Sequence, residues 1–319
     1  MEVEFAGRAT ASAATRAIEW ETMAVVVGVF GSFGLLTRFH SAIPVWLLIP
    51  VLGLVITWHG SMQHEIIHGH PTKWGKVNRF IGRTTFDLFT PFEHYRRVHL
   101  LHHRDQYLTD PSMDGESFYF TAERWADSGP TMRKILRAHH TLLGRLLLSP
   151  FLTLAGYVGD QMLQAVTGEH PDGEGCPRRR WAGHVPFVAL TVAWLWFVEF
   201  SPLTYFACVC VAISGVRLRS FAEHRWTPDG RPRTAMVHAS PVFALLFLNN
   251  NLHVAHHFRM TVPWYQLPRL GRTIEADELA RQGAGVYSGY FDVARQYGLR
   301  MFDEPVYPGT LSNPNPQSC

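Results

Sequence analysis

Four apolar runs, arranged as two close pairs, constrain this chain more than any other feature. Met23–Leu36 and Ile43 to about Met62 are separated only by Thr37–Ala42, and Trp181–Phe200 and Leu203–Leu218 only by Ser201–Pro202. About 20 apolar residues in a helix cross the ~30 Å hydrocarbon core of a bilayer. Within that core a segment must satisfy its own backbone, which a helix does. The first run needs flanking residues to reach the required length. The expected fold is all-α and integral to a membrane, with four transmembrane helices in two hairpins. Buried core helices are the soluble alternative, since several runs are short and contain glycine. Charged residues make up only 17% of the chain, against roughly 25% in an average soluble domain, which favours the membrane.

Basic residues set the orientation. The long segment between the hairpins carries Lys73, Lys76, Arg79, Arg83, Arg96, Arg97, Arg104, Arg133, Lys134 and Arg137, and ends in Arg178–Arg180. Arg217, Arg219, Arg225, Arg231 and Arg233 follow the fourth run, whereas the two short links hold only Arg38. The positive-inside rule then places both termini and the long loop in the cytoplasm. Residues 141–166 are also apolar, but Arg145, Pro150 and Asp160 interrupt them, so an interfacial or re-entrant helix is expected there. Pro241–Leu248 is too short to cross. The expected organisation is a polar N-terminal segment (1–22), a membrane domain (23–305) and a flexible tail (306–319).

Composition removes several classes. Cys176, Cys208, Cys210 and Cys319 form no CxxC pair, so zinc ribbons, iron–sulfur clusters and thioredoxin-like chemistry lack support. The N-terminus lacks the basic start and apolar run of a secretory signal. No basic helix or aromatic nucleic-acid signature accompanies the net charge of +3, so nucleic acid is not an expected partner.

Histidine carries the chemistry. Of 18 in the chain, eight sit in three short boxes: His64 and His68 in HEIIH, His99, His102 and His103 in HLLHH, and His253, His256 and His257 in HVAHH. On a helix, positions i, i+3 and i+4 share a face, so each box is expected to present its imidazoles on one stripe. The boxes all fall on the cytoplasmic side, where three helices could bring them together. Imidazole is the commonest transition-metal ligand. All-nitrogen ligation fits iron, copper, nickel or zinc and excludes calcium and magnesium. Eight ligands exceed one tetrahedral site and suit two ions with open positions.

These boxes, in "HEIIHGH", "YRRVHLLHHRDQYLTDP" and "NNNLHVAHHFRMTVPWYQLP", resemble those of the integral-membrane fatty acid desaturase/hydroxylase family, from about Ile43 to Leu270. The resemblance implies two iron ions that use O2 and two electrons to attack an unactivated C–H bond. It also implies a further ligand just past the fourth run, which "RSFAEHR" supplies as His224. The expected metal ligands are thus His64, His68, His99, His102, His103, His224, His253, His256 and His257.

Metal-bound histidines usually donate their second N–H to a carboxylate or carbonyl. Glu65, Asp105, Asp110, Asp114 and Glu223 lie close in sequence, with Asp105 and Asp110 favoured, and Asn250 is expected to bond a ligand or a metal-bound water. Desaturation of an acyl-lipid chain is the leading reading. Hydroxylation or ketolation of an acyl chain or carotenoid is the alternative, and a membrane metal-binding or transport protein the third. The third box opens on His253 rather than the Gln of front-end desaturases, and the extra box of alkane monooxygenases is not visible; both favour desaturation. No flavin, dinucleotide or cytochrome motif accompanies the boxes, so electrons are expected from a separate ferredoxin-, rubredoxin- or cytochrome-type donor.

Overall fold

The structure, a computed structural model, describes residues 17–104, 107–167, 177–228 and 232–310. It is mostly helical. The one sheet among the described residues is a parallel pair of two-residue strands, β1 (Met236–Val237) and β2 (Val286–Tyr287).

Among the described residues, three helices are long and apolar enough to cross a membrane: α1 (Trp20–Arg38), α2 (Val45–Ile67) and α10 (Pro202–Phe221). Four were expected. The remaining one, α9 (Pro177–Phe197), has 21 residues but opens on Arg178–Arg180 and carries His184 and Pro186, which make it less apolar. Ser201 caps α10 by accepting the Thr204 N–H, with Pro202 at the first helical position, where its fixed φ suits a helix start. α1 and α2 form the first hairpin, and α2 packs against α10. Small residues allow that contact: a Cβ at Gly53 would meet the Val211 side chain, and one at Gly215 would meet Thr57. Such close approach is how helices associate where no hydrophobic effect drives them together.

α2 does not stop where the apolar run ends. Its 23 residues are about 35 Å long at 1.5 Å per residue and carry His64 in the last turn. His68 caps the helix, and Gly69, at φ 102°, turns the chain away. Glu19 and Ile18, within the expected polar N-terminal segment, tie into this turn through Pro71 and Thr72. At the other end, Val306 and Tyr307 pair with Phe120, so packing continues past residue 305.

After α3 (Gly75–Gly82) the chain dips back among the long helices before α4 (Phe92–His102). Phe86, at the tip, stacks on Phe33 of α1, ring centroids 3.8 Å apart, and lies against His59 of α2. Side chains of the long helices satisfy its carbonyls. Gln63 donates to Gly82 O and Thr84 O at 2.8 and 3.0 Å, Thr191 to Thr85 O, Tyr205 to Phe86 O and His184 to Leu88 O. Irregular backbone at membrane depth is tolerated where protein supplies such partners.

After α5 (Ala122–Asp127) and α6 (Pro130–His139), the expected interfacial stretch is α7 (Leu142–Leu152), a π segment (Thr153–Val158) and α8 (Gly159–Thr167). Beyond α10, the chain forms β1, α11 (Pro241–Leu246) and α12 (His253–Phe258). Leu248 and Asn249 both adopt positive φ, 48° and 55°, which ends α11 and reverses the chain into the third box. Three apolar clusters result. One joins α1, α2 and α10, and two gather around Phe221, Phe247 and Val293 and around Met236, Ala255 and Leu267.

Candidate metal centre

All nine expected histidines come together, in two adjoining groups. His64, His68, His99, His103 and His256 form one; His102, His224, His253 and His257 form the other. Within each group the candidate ligand nitrogens lie within 4.8 Å of one another. The groups touch through His103 and His257, whose rings stack at 4.3 Å.

His64 and His68 of the first box join the same group, but the two HxxHH boxes do not act as single stripes. In each HxxHH box the i and i+4 rings join one group and the i+3 ring joins the other. His99 and His103 go with the five and His102 with the four; His253 and His257 go with the four and His256 with the five. The reason is angular. At about 100° per residue, i+3 lies some 60° to one side of i and i+4 some 40° to the other, so a box placed between two centres serves both.

The nitrogens are arranged for a cation. Nε2 of His99 stands 3.0 Å from Nε2 of both His68 and His103, and Nε2 of His224 stands 2.9 and 2.8 Å from those of His102 and His253. Two nitrogens each about 2.1 Å from one ion, at right angles, would be about 3.0 Å apart. His64 Nε2 is buried with no hydrogen-bond partner among the described residues. A bound metal ion would satisfy such a buried nitrogen in a nest of imidazoles.

The opposite ring edges are held. His99 Nδ1–H donates to Glu116 Oε1 at 2.9 Å and His102 Nδ1–H to Asp114 Oδ1 at 2.9 Å. His253 Nδ1 meets Asn250 Oδ1 at 3.2 Å, while the Asn250 amide donates to Glu223 Oε1 at 3.1 Å, and Arg219 pairs with the same oxygen. A ring that gives its Nδ1 proton to an oxygen keeps Nε2 bare for a metal.

Of the expected holding residues, Asn250 is in contact with a box ring. Asp110 is not: its carboxylate accepts the Ser112 N–H and shapes the following turn. Asp105 lies outside the described residues. Glu116 was missed in the sequence because it stands 17 positions from His99, with only the turn-rich TDPSMDGES between to signal a return. Asp114, not favoured beforehand, makes that return possible. It caps the turn by accepting the Thr109 and Glu116 N–H groups, and so aims Glu116 back at the box. His70 stays apart, bonded to Glu19 at 2.7 Å.

Electrostatics keep most rings neutral. Burial, reinforced by neighbouring imidazoles, holds His68, His224, His253 and His256 well below the ordinary histidine range. Burial works the same way on His102, but Glu116, Asp114 and Glu223 outweigh it and raise that ring to about 9. Burial would raise the Glu116 carboxyl; His99, His102 and Arg219 together hold it well below the carboxylate range. A cleft of about 450 Å³, lined by His103, His257 and residues 258–262, reaches one ring of each group.

The sequence model of the family described as fatty acid desaturase matches residues 41–290. This chain belongs to the fatty acid desaturase family. The matched span contains all three boxes and His224. A comparison with curated proteins gives no match. Family membership makes this protein an oxidoreductase of the membrane, and its paired histidine groups are capable of binding metal.

Proposed function

We propose that this member of the family uses two iron ions, O2 and two electrons to introduce a double bond into an acyl-lipid chain. The observation that carries the reading is the division of nine buried or half-buried histidines into adjoining groups of five and four. When bound, two irons supply O2 activation and the oxidising power needed at an unactivated C–H bond. The chain does the rest. Glu116, Asp114 and Asn250 hold Nδ1 protons, so that His99, His102 and His253 present Nε2 inward. Burial of most of the rings excludes bulk water. The cleft beside His103 and His257 gives a substrate chain access to both groups, along Phe258, Met260 and Val262.

The membrane arrangement follows from the same reading. α9 serves as the fourth span, paired with α10 across a turn of a few residues, and both termini and the histidine groups are cytoplasmic. α7 and α8 lie along the interface. This is supported by buried Arg145, which donates to His139 O, and by contacts of Leu146 and Thr153 with Ser214 and Arg217 near one end of α10. Electrons come from a separate ferredoxin-, rubredoxin- or cytochrome-type protein. A transporter would hold its ligands at mid-bilayer; here they begin only in the last turn of α2.

The test is lipid analysis of cells expressing the chain with a redox donor. A new double bond is expected. A new hydroxyl instead would make the protein a hydroxylase, and unchanged lipid would remove the enzymatic reading for acyl chains. His256→Ala should abolish product while the protein still inserts; a fully active variant would refute the ligand assignment.

A further inference from the structure

A second cavity, of about 690 Å³, lies away from the histidines. It is bounded by α9, α10, the re-entrant turn at Asp87–Phe89 and Leu154 of the π segment. Its volume falls within the ~300–1,000 Å³ of small-ligand sites. Leu154, Val192, Leu195, Phe206 and Val209 make its walls almost wholly apolar. Trp196, 83% exposed, and half-exposed Phe206 and Val192 frame its open side. With α9 and α10 paired as a membrane hairpin, the reading proposed above on which this inference rests, these positions face lipid and the medium outside the opening is hydrocarbon.

Two carboxylates interrupt this lining. Asp87 accepts a hydrogen bond from the Thr85 hydroxyl at 2.7 Å. Glu199 is exposed at the turn between α9 and α10 and adopts φ 55°, where glycine or asparagine is the usual residue. Among the described residues neither has a Lys or Arg partner. Ionisable groups set among the apolar walls of a membrane protein usually serve a ligand or a pathway. A carboxylate beside an exposed indole suits an ammonium group, through charge and the ring face.

We propose that this cavity binds one phospholipid with an amine headgroup, its acyl chain between α9 and α10 and its ammonium at Glu199. The site is separate from the metal centre, and its occupant is a resident lipid rather than the molecule oxidised.

The purified, full-length protein in nanodiscs tests this. Phosphatidylethanolamine with a diazirine in its acyl chain is photolysed and labelled peptides are mapped, with phosphatidylglycerol carrying the same chain as comparison. Labelling of residues 192–209 should exceed that of lipid-facing α1, around Val27 and Leu35, several-fold, and should be several-fold stronger with the ethanolamine lipid. Val192→Trp, at an exposed wall position, should lower it. Glu199→Gln should erase the headgroup preference while chain labelling remains. Equal labelling of α1 and α9–α10, equal labelling by both lipids, or indifference to Val192→Trp would overturn the proposal. So would displacement by free palmitate but not by unlabelled phosphatidylethanolamine, which would make this a fatty-acid site.

Discussion

Glu116 shows how much of the centre depends on single side chains beyond the histidines. It accepts a hydrogen bond from His99 Nδ1–H, and loss of such a partner typically lowers metal affinity or activity about 10–100-fold. Glu116→Gln keeps the shape and removes the charge, so iron should be lost to a chelator at correspondingly lower concentration with helix content unchanged; circular dichroism and iron analysis read both. The residues that hold the rings were the least legible in the sequence. Nearness along the chain pointed to Asp105 and Asp110, whereas the fold brings Glu116 back through a turn that sequence spacing does not reveal. His140 carries a different consequence. It is fully buried against Phe118 and Phe120, and burial, with Arg145 adding to it, lowers its pKa to about 3. The unfolded ring titrates near 6.5. Below that pH the unfolded chain takes up a proton that the folded one refuses, so stability falls by up to about 1.4 kcal/mol per pH unit until the folded value is reached. His140→Phe should therefore flatten the drop in unfolding temperature between pH 7.5 and 5.5 relative to the parent.

At the scale of elements, the histidine boxes and the apolar runs were readable because both are local patterns with a helical period. The first hairpin and α10 lie where those patterns put them. Two features escaped. The re-entrant turn at Phe86 carries no periodic signal, and its carbonyl partners, Gln63, Thr191, Tyr205 and His184, come from three helices distant in sequence. The sharing of each HxxHH box between two groups also escaped, because a stripe of three rings treats the i+3 and i+4 positions as equivalent. α2 links membrane and centre mechanically: it packs on α10 through Gly53 and Gly215 and ends in His64. A Cβ at Gly215 would collide with Thr57, and overpacking of this kind usually destabilises by about 1–3 kcal/mol. Gly215→Val should lower the unfolding temperature and, by shifting α2, reduce bound iron, whereas Gly31→Ala, with open space around it, should do neither.

For the whole molecule, the positive charge on the long loops makes a directional prediction. Single cysteines at Ser41 and Ser201, introduced into a variant lacking the native thiols, should react with an impermeant maleimide added outside intact cells. A cysteine at Lys134 should react only after permeabilisation. Labelling of Lys134→Cys in intact cells would reverse the orientation, and labelling of Ser41→Cys without Ser201→Cys would remove α9 as a span. The distribution of the boxes has a consequence at this scale as well. Because α4 and α12 each contribute to both groups, neither centre belongs to a separable portion of the chain. A fragment ending before α12 would lack part of each, and a distortion of either helix would damage the pair together, so the two halves of the site stand or fall as one unit.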